Sequence, residues 1–206
     1  MSDIYPPSMH VPSVSADDAT ADDGAASRLA WTEESSKTSG DFRIFSVRES
    51  VCRSPEGALK TFSVIDTRDW AMVVPVIETK QGKAFVMVRQ WRHGARELSV
   101  EFPGGVLEAG EQNAEGAARE LREETGFVAS SVIKLGEMNP NPAIMSNRIH
   151  FYLAEDLTQT GKRELDEDEF VEVLTLPAVD VLQNMGRPPY IHALTAVALL
   201  FYLKRP

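Results

Sequence analysis

Gly105-Val-Leu-Glu-Ala-Gly-Glu-Gln-Asn-Ala-Glu-Gly-Ala-Ala-Arg-Glu-Leu-Arg-Glu-Glu-Thr-Gly-Phe127 is the stretch on which the reading of this chain turns. Glycines at 104, 105 and 110 punctuate a loop. Asn113 stands at an N-cap position, and Gly126 stands where a helix stops. Between them Ala114, Ala117, Ala118 and Leu121 recur at helical spacing and make one apolar face. Beside that face Glu120, Glu123 and Glu124 fall at i, i+3 and i+4, where like charges repel by a few tenths of a kcal/mol per pair. Arg119 and Arg122 relieve part of this. Hard carboxylate oxygens that repel one another are what a divalent cation neutralises, and Mg²⁺ prefers such ligands.

The chain has 206 residues, enough for one domain with an appendage, and its 43% hydrophobic content allows a core. A net charge of −10 argues against duplex nucleic acid as a partner. A single cysteine, Cys52, excludes an intrachain disulfide framework and suits a reducing compartment. The longest apolar run, Ala193 to Leu203, contains Thr195 and falls well short of the roughly 20 residues that span a bilayer. The N-terminus shows no basic region followed by an apolar core, so a soluble, cytoplasmic protein is expected.

Residues 1–40 hold seven acidic side chains against Arg28 and Lys37, half of the chain's net charge, with little hydrophobic periodicity. They read as a disordered acidic tail. From 41 onward the pattern is that of a folded domain. Phe42 to Cys52 and Thr61 to Asp66 read as a hairpin about the Ser54-Pro-Glu-Gly57 turn. Ala71 to Ile77 is a continuous apolar run and reads as a buried strand. Further strands are expected at Ala84 to Arg89, Leu98 to Phe102, Val132 to Met138, Ile149 to Ala154 and Phe170 to Leu176. Pro177 starts a helix through about Met185, and Ile191 to Leu203 reads as the last helix. The pattern is α+β.

The segment resembles the box of the Nudix hydrolases at every fixed position: Gly105, Glu111, Arg119, Glu120, Leu121, Glu123, Glu124, Gly126 and Phe127. A chance match at this many positions is on the order of 10⁻⁹ per starting residue. The resemblance implies an α/β/α sandwich with a mixed sheet, preceded by an N-terminal β-hairpin, with the box as a loop-helix-loop. Arg89-Gln90-Trp91-Arg92 and Glu101-Phe102-Pro103-Gly104-Gly105 are similar to the approach to the box in the ADP-ribose and nucleoside-diphosphate-sugar pyrophosphatases, and Pro142 stands where that subgroup has a proline. In that subgroup the hairpin is exchanged between protomers. The resemblance therefore implies a homodimer, with residues 41–68 as the dimerisation element and 69–206 as the catalytic core. The chain departs from the subgroup at Gly104, which is commonly alanine, and around Asn141-Pro142-Ala143, where Asn147 replaces an acidic residue.

The implied reaction is Mg²⁺-dependent hydrolysis of a nucleoside diphosphate sugar, ADP-ribose to AMP and ribose 5-phosphate, with Mn²⁺ as the alternative ion. Glu120 and Glu124 are the expected principal metal ligands, Glu123 assists in binding and catalysis, and the Gly104 carbonyl adds a ligand by resemblance. Arg119 and Glu111 are expected to pair and to orient the carboxylates. The general base is expected in the acidic stretch 165–169, with Glu167 first and Glu169 next. Arg92 and Glu101 are expected to bind substrate, Arg92 because a guanidinium offers phosphate a bidentate fork. Phe45, Trp70 or Trp91 could stack on a base. No role is assigned to His93, His150 or His192. Two other readings stand beside this one: a Nudix pyrophosphatase for another nucleoside diphosphate derivative, and a non-catalytic nucleotide-binding sensor of the same fold.

Overall fold

Strand β4 (Trp70–Thr79) contains the apolar run, and its side chains alternate between two cores. Met72, Val74 and Val76 point into one, and Ala71 and Val73 into the other. Its parallel neighbour β9 (Ile149–Gln159) does the same, with Ile149, Phe151 and Leu153 on the first face and Tyr152 and Ala154 on the second. A strand covered on both faces loses the polar alternation of a half-exposed one, which is why this run reads as unbroken hydrophobicity.

The computed structural model describes residues 28–165 and 170–205. The remaining strands are β1 (Thr32–Phe42), β2 (Phe45–Arg53), β3 (Leu59–Asp66), β5 (Gly82–Arg92), β6 (Glu97–Glu101), β7 (Gly104–Val106), β8 (Phe127–Met138) and β10 (Glu172–Pro177). The helices are α1 (Asn113–Thr125), α2 (Ala178–Asn184) and α3 (Ala193–Lys204). A seven-stranded sheet runs β10-β5-β4-β9-β8, with β6 paired to β5 and β7 to β4. The β4–β9 pair is parallel and the other pairs of this sheet are antiparallel, so the sheet is mixed, as expected. Val181 of α2 and Ala198, Leu199 and Tyr202 of α3 close the first core. Leu107, Ala117 and Leu121, the last two from α1, close the second. The result is the α/β/α sandwich read from the sequence, with the box helix alone on its face of the sheet among the described helices.

The chain divides into two compact units. One comprises, of the described residues, 28–37 and 49–63; the other comprises 38–48 and 64–205. Within the first, polar pairs dominate: Ser50 donates to Glu33, Arg53 meets Glu34 at 2.6 Å, and Lys37 meets Glu49 at 2.9 Å. Trp31 packs edge-on against Phe62 with centroids 5.1 Å apart.

Strands β1, β2 and β3 form a separate sheet in that order, which corrects the expected tail and hairpin at two points. Residues 32–40 are strand rather than tail. Their sequence, Thr-Glu-Glu-Ser-Ser-Lys-Thr-Ser-Gly, carries no apolar alternation, and its pairing with β2 rests on charge and hydroxyl partners. Phe42 closes β1 instead of opening the hairpin, whose first strand begins at Phe45. The 54–58 turn joins β2 to β3 as read, with Ser54 N–H donating to the Ala58 carbonyl at 2.8 Å. Residues 1–27 of the expected tail lie outside the described residues.

Candidate active site

Helix α1 starts after Gln112, which caps it without a side-chain bond, so Asn113 is the first helical residue rather than the cap. It ends at Gly126, whose φ of 73° is the left-handed conformation that glycine adopts without strain. Ala117 and Leu121 are fully buried under the helix. That anchoring sends Glu120 and Glu124, one turn apart, toward the loop that enters the helix. Glu124 Oε2 accepts the Gly104 N–H at 2.9 Å. The Glu120 carboxylate lies against Gly105, where a Cβ would stand 2.7 Å from Oε1. Both side chains therefore reach the same two-residue stretch of backbone.

Arg119 holds the rest of the carboxylates. Its Nε and Nη2 meet the two oxygens of Glu111 at 2.9 and 3.1 Å. Its Nη1 meets Glu120 Oε1 at 3.0 Å and Glu123 Oε2 at 2.9 Å. The hydrogen bonds that Arg119 donates to Glu111, against the opposing effect of burial and with help from Glu120 and Glu123, hold the guanidinium charged far above any working pH. The Arg119 hydrogen bond likewise outweighs burial in keeping the Glu111 carboxyl below its usual range. Glu123 is also bonded by Arg122 Nη2 at 3.2 Å.

Glu123 therefore meets two arginines, while Glu120 shares Arg119 and, with Glu124, reaches the loop. Among the described residues no group of three or more His, Cys, Asp or Glu side chains comes together in metal-ligating geometry. The Glu120 and Glu124 carboxylates both lie against the Gly104–Gly105 backbone. The donors there are all hard oxygens, and Gly105 lacks the Cβ that would displace one of them. This donor set suits a hard divalent cation.

A cavity of about 710 Å³ opens beside the two glycines, within the unit formed by 38–48 and 64–205. Phe45, Trp70 and Trp91, the three stacking candidates, all line it, as do Arg92 and Glu101. Glu101 has no exposed side-chain surface. Burial opposes its ionisation, but the hydrogen bonds and charge of Arg92, with His192 adding to them, keep its carboxyl below the usual range. Arg92 Nε meets Oε1 at 2.9 Å and Nη2 meets Oε2 at 2.5 Å, a fork-to-fork pair. His192, given no role from the sequence, approaches the same carboxylate at 3.3 Å. Nothing in sequence spacing links it to Glu101, because the two meet only when α3 packs on the sheet. His93 lines the cavity, whereas His150 is bound to Asp69 at 3.0 Å.

Glu167 and Glu169 lie outside the described residues. The chain before them is fastened to the box helix: Glu164 N–H donates to the Glu123 carbonyl at 3.1 Å, and Thr160 N–H to that of Gly126 at 2.8 Å.

The family model for the NUDIX domain matches residues 67–196, well over half of the chain. The chain belongs to the Nudix family. Nudix hydrolases in general depend on a divalent metal. Over 124 residues the chain is 40% identical to an ADP-ribose pyrophosphatase of Bacillus subtilis, an alignment covering 60% of this chain and 66% of that protein. Over 136 residues it is 32% identical to an ADP-ribose pyrophosphatase of Mycobacterium tuberculosis, covering 66% of this chain and 64% of the relative. The chain thus spans just under two thirds of each of these two relatives. A crystal structure of an ADP compounds hydrolase superposes with a TM-score of 0.75 at 24% identity, covering 84% of this chain and 92% of the other, and shows the same fold. Among the described residues no helix is long and apolar enough to cross a membrane.

Proposed function

We propose that this Nudix domain hydrolyses the diphosphate bond of a nucleoside diphosphate sugar of the ADP-ribose type, releasing AMP and ribose 5-phosphate. The observation that carries this reading is the reach of Glu120 and Glu124 onto the Gly104–Gly105 backbone at the wall of a cavity that also presents Arg92. That the two relatives are ADP-ribose pyrophosphatases supports the substrate class. In this reading Glu120 and Glu124 hold Mg²⁺, or Mn²⁺ in its place, with the Gly104 carbonyl as a further ligand and Glu123 assisting. The ion supplies positive charge to the phosphoryl oxygens and lowers the pKa of bound water. Arg92 engages a phosphate, Glu101 orients Arg92, and the aromatic wall takes the base.

A panel of ADP-ribose, other nucleoside diphosphate sugars and dinucleotides, assayed for released monophosphate, tests the reading. ADP-ribose turnover is expected with Mg²⁺ and none after chelation. Preferential cleavage of another diphosphate moves the assignment to that derivative. Tight nucleotide binding with no product from any compound makes the protein a sensor.

The general base is assigned to Glu167, ahead of Glu169, in the stretch that follows the Glu164–Glu123 tether. Glu167→Gln is expected to lower kcat by about 10²- to 10³-fold, in the range of general-base catalysis. Full activity in both Glu167→Gln and Glu169→Gln would leave metal-bound water to act alone.

Residues 41–68 are assigned to homodimerisation in a reducing cytoplasm, because a small sheet is marginal on its own. Light scattering should give a mass near twice 22.8 kDa. A mass near the single value removes the dimer.

A further inference from the structure

Glu101 is a carboxylate without solvent, and such a group persists only where its oxygens are bonded. Oε1 takes Arg92 Nε and Oε2 takes Arg92 Nη2, and His192 Nδ1 stands 3.3 Å from Oε2. His192 is itself fixed on two sides. It caps α3, its carbonyl accepting the Thr195 N–H at 3.1 Å. The segment before it is fastened to β6 where Val100 N–H donates to the Pro189 carbonyl at 2.9 Å. The ring nitrogen Nδ1 then lies 3.3 Å from Glu101 Oε2 and 3.3 Å from Oγ1 of the fully buried Thr195. Arg92 alone would leave the carboxylate plane free to tilt with the guanidinium, because both bonds come from one planar group. The His192 ring, held 3.3 Å from Oε2 by a separate element, limits that tilt.

We propose that His192 is a positioning residue for phosphate recognition: it holds Glu101, and through Glu101 the Arg92 guanidinium at the cavity wall. This rests on the reading of the cavity as a diphosphate site. Burial outweighs the pull of Glu101 and, with the charge of Arg92, holds the imidazole below its usual range. Because Nδ1 is the ring nitrogen that stands beside the ionised carboxylate, it is the one placed to carry the proton, and an amide nitrogen at the same place can substitute for it. Asparagine carries its Nδ2 at the position of Nδ1, whereas leucine and methionine place no donor there.

The test is calorimetric titration of the full chain with inorganic pyrophosphate and Mg²⁺, alongside steady-state kinetics on ADP-ribose. His192→Leu is expected to weaken pyrophosphate binding about tenfold, the size of one hydrogen bond to a charged group, and to raise KM more than it changes kcat. His192→Asn should stay within about twofold of the parent affinity. In an Arg92→Met background, His192→Leu should add nothing further, because the two side chains act as one unit. Equal losses in the leucine and asparagine variants, no loss in either, or a leucine effect that survives Arg92→Met would overturn the proposal. So would a parent protein that does not bind pyrophosphate. Should His192→Leu fail to fold, His192→Met serves as the donor-free variant. If the parent does not cleave ADP-ribose but the pyrophosphate pattern holds, the substrate assignment fails and the role of His192 stands.

Discussion

Glu120→Gln and Glu124→Gln are each expected to lower kcat on ADP-ribose, the proposed substrate, by about 10³-fold, the scale on which loss of one charge-stabilising group acts in a site of this kind. Both are expected to leave the fold intact. Glutamine keeps the shape and one acceptor oxygen of glutamate, so the Gly104 N–H retains its partner in Glu124→Gln and Arg119 retains one in Glu120→Gln. Removing one of several like charges at i, i+3 and i+4 also relieves a few tenths of a kcal/mol of repulsion. The thermal midpoint should therefore move by no more than a few degrees. Glu123→Gln makes the informative contrast. Its carboxylate is bonded to Arg119 and Arg122, away from the glycine loop, and its loss should cost about tenfold, as for a group that orients a ligand. Measured kcat values and half-saturating Mg²⁺ concentrations for the three variants decide the matter. Near-parent activity in both Glu120→Gln and Glu124→Gln, or a larger loss at Glu123, would remove the ligand assignment.

The surroundings of the three glutamates were only half legible in the sequence. The helix itself was readable, because Ala117 and Leu121 repeat at 3.6 residues and Gly126 ends the run. The sandwich was readable from β4 and β9, whose doubly covered strands leave unbroken apolar runs. How Arg119 is shared among Glu111, Glu120 and Glu123 depends on which way one guanidinium turns. Arg119 reaches four residues on to Glu123 and back across the loop to Glu111, and spacing alone does not rank those partners. Strand β1 was invisible for a different reason: its stabilising partners are Glu49, Ser50 and Arg53, so hydrophobic alternation, the main sequence signal of a strand, is missing. His192 was invisible because its partner lies in a distant strand, and the meeting is made by tertiary packing alone.

Gly105→Ala is expected to cost about 10²-fold in kcat, as small displacements of catalytic groups do, and little stability. The added Cβ would stand 2.7 Å from Glu120 Oε1 and 2.8 Å from its Cδ and Oε2, closer than any such contact tolerates. Something must move, and the flexible end of a side chain moves before a backbone does. The Glu120 carboxylate is thus displaced from the loop while the strand pairing of β7 with β4 stays in place. The backbone at 105 is not in the left-handed region, so alanine meets no conformational strain there. Alanine also narrows the unfolded ensemble, a gain of roughly 0.4–1 kcal/mol that offsets part of the crowding. The signature is a protein of near-parent thermal midpoint that needs more Mg²⁺ for half-maximal rate and turns over slowly when saturated. If Gly105→Ala instead unfolds, the glycine serves the sheet. If it keeps both rate and metal requirement, Glu120 has no work at the loop, and the divalent site must be sought elsewhere on α1.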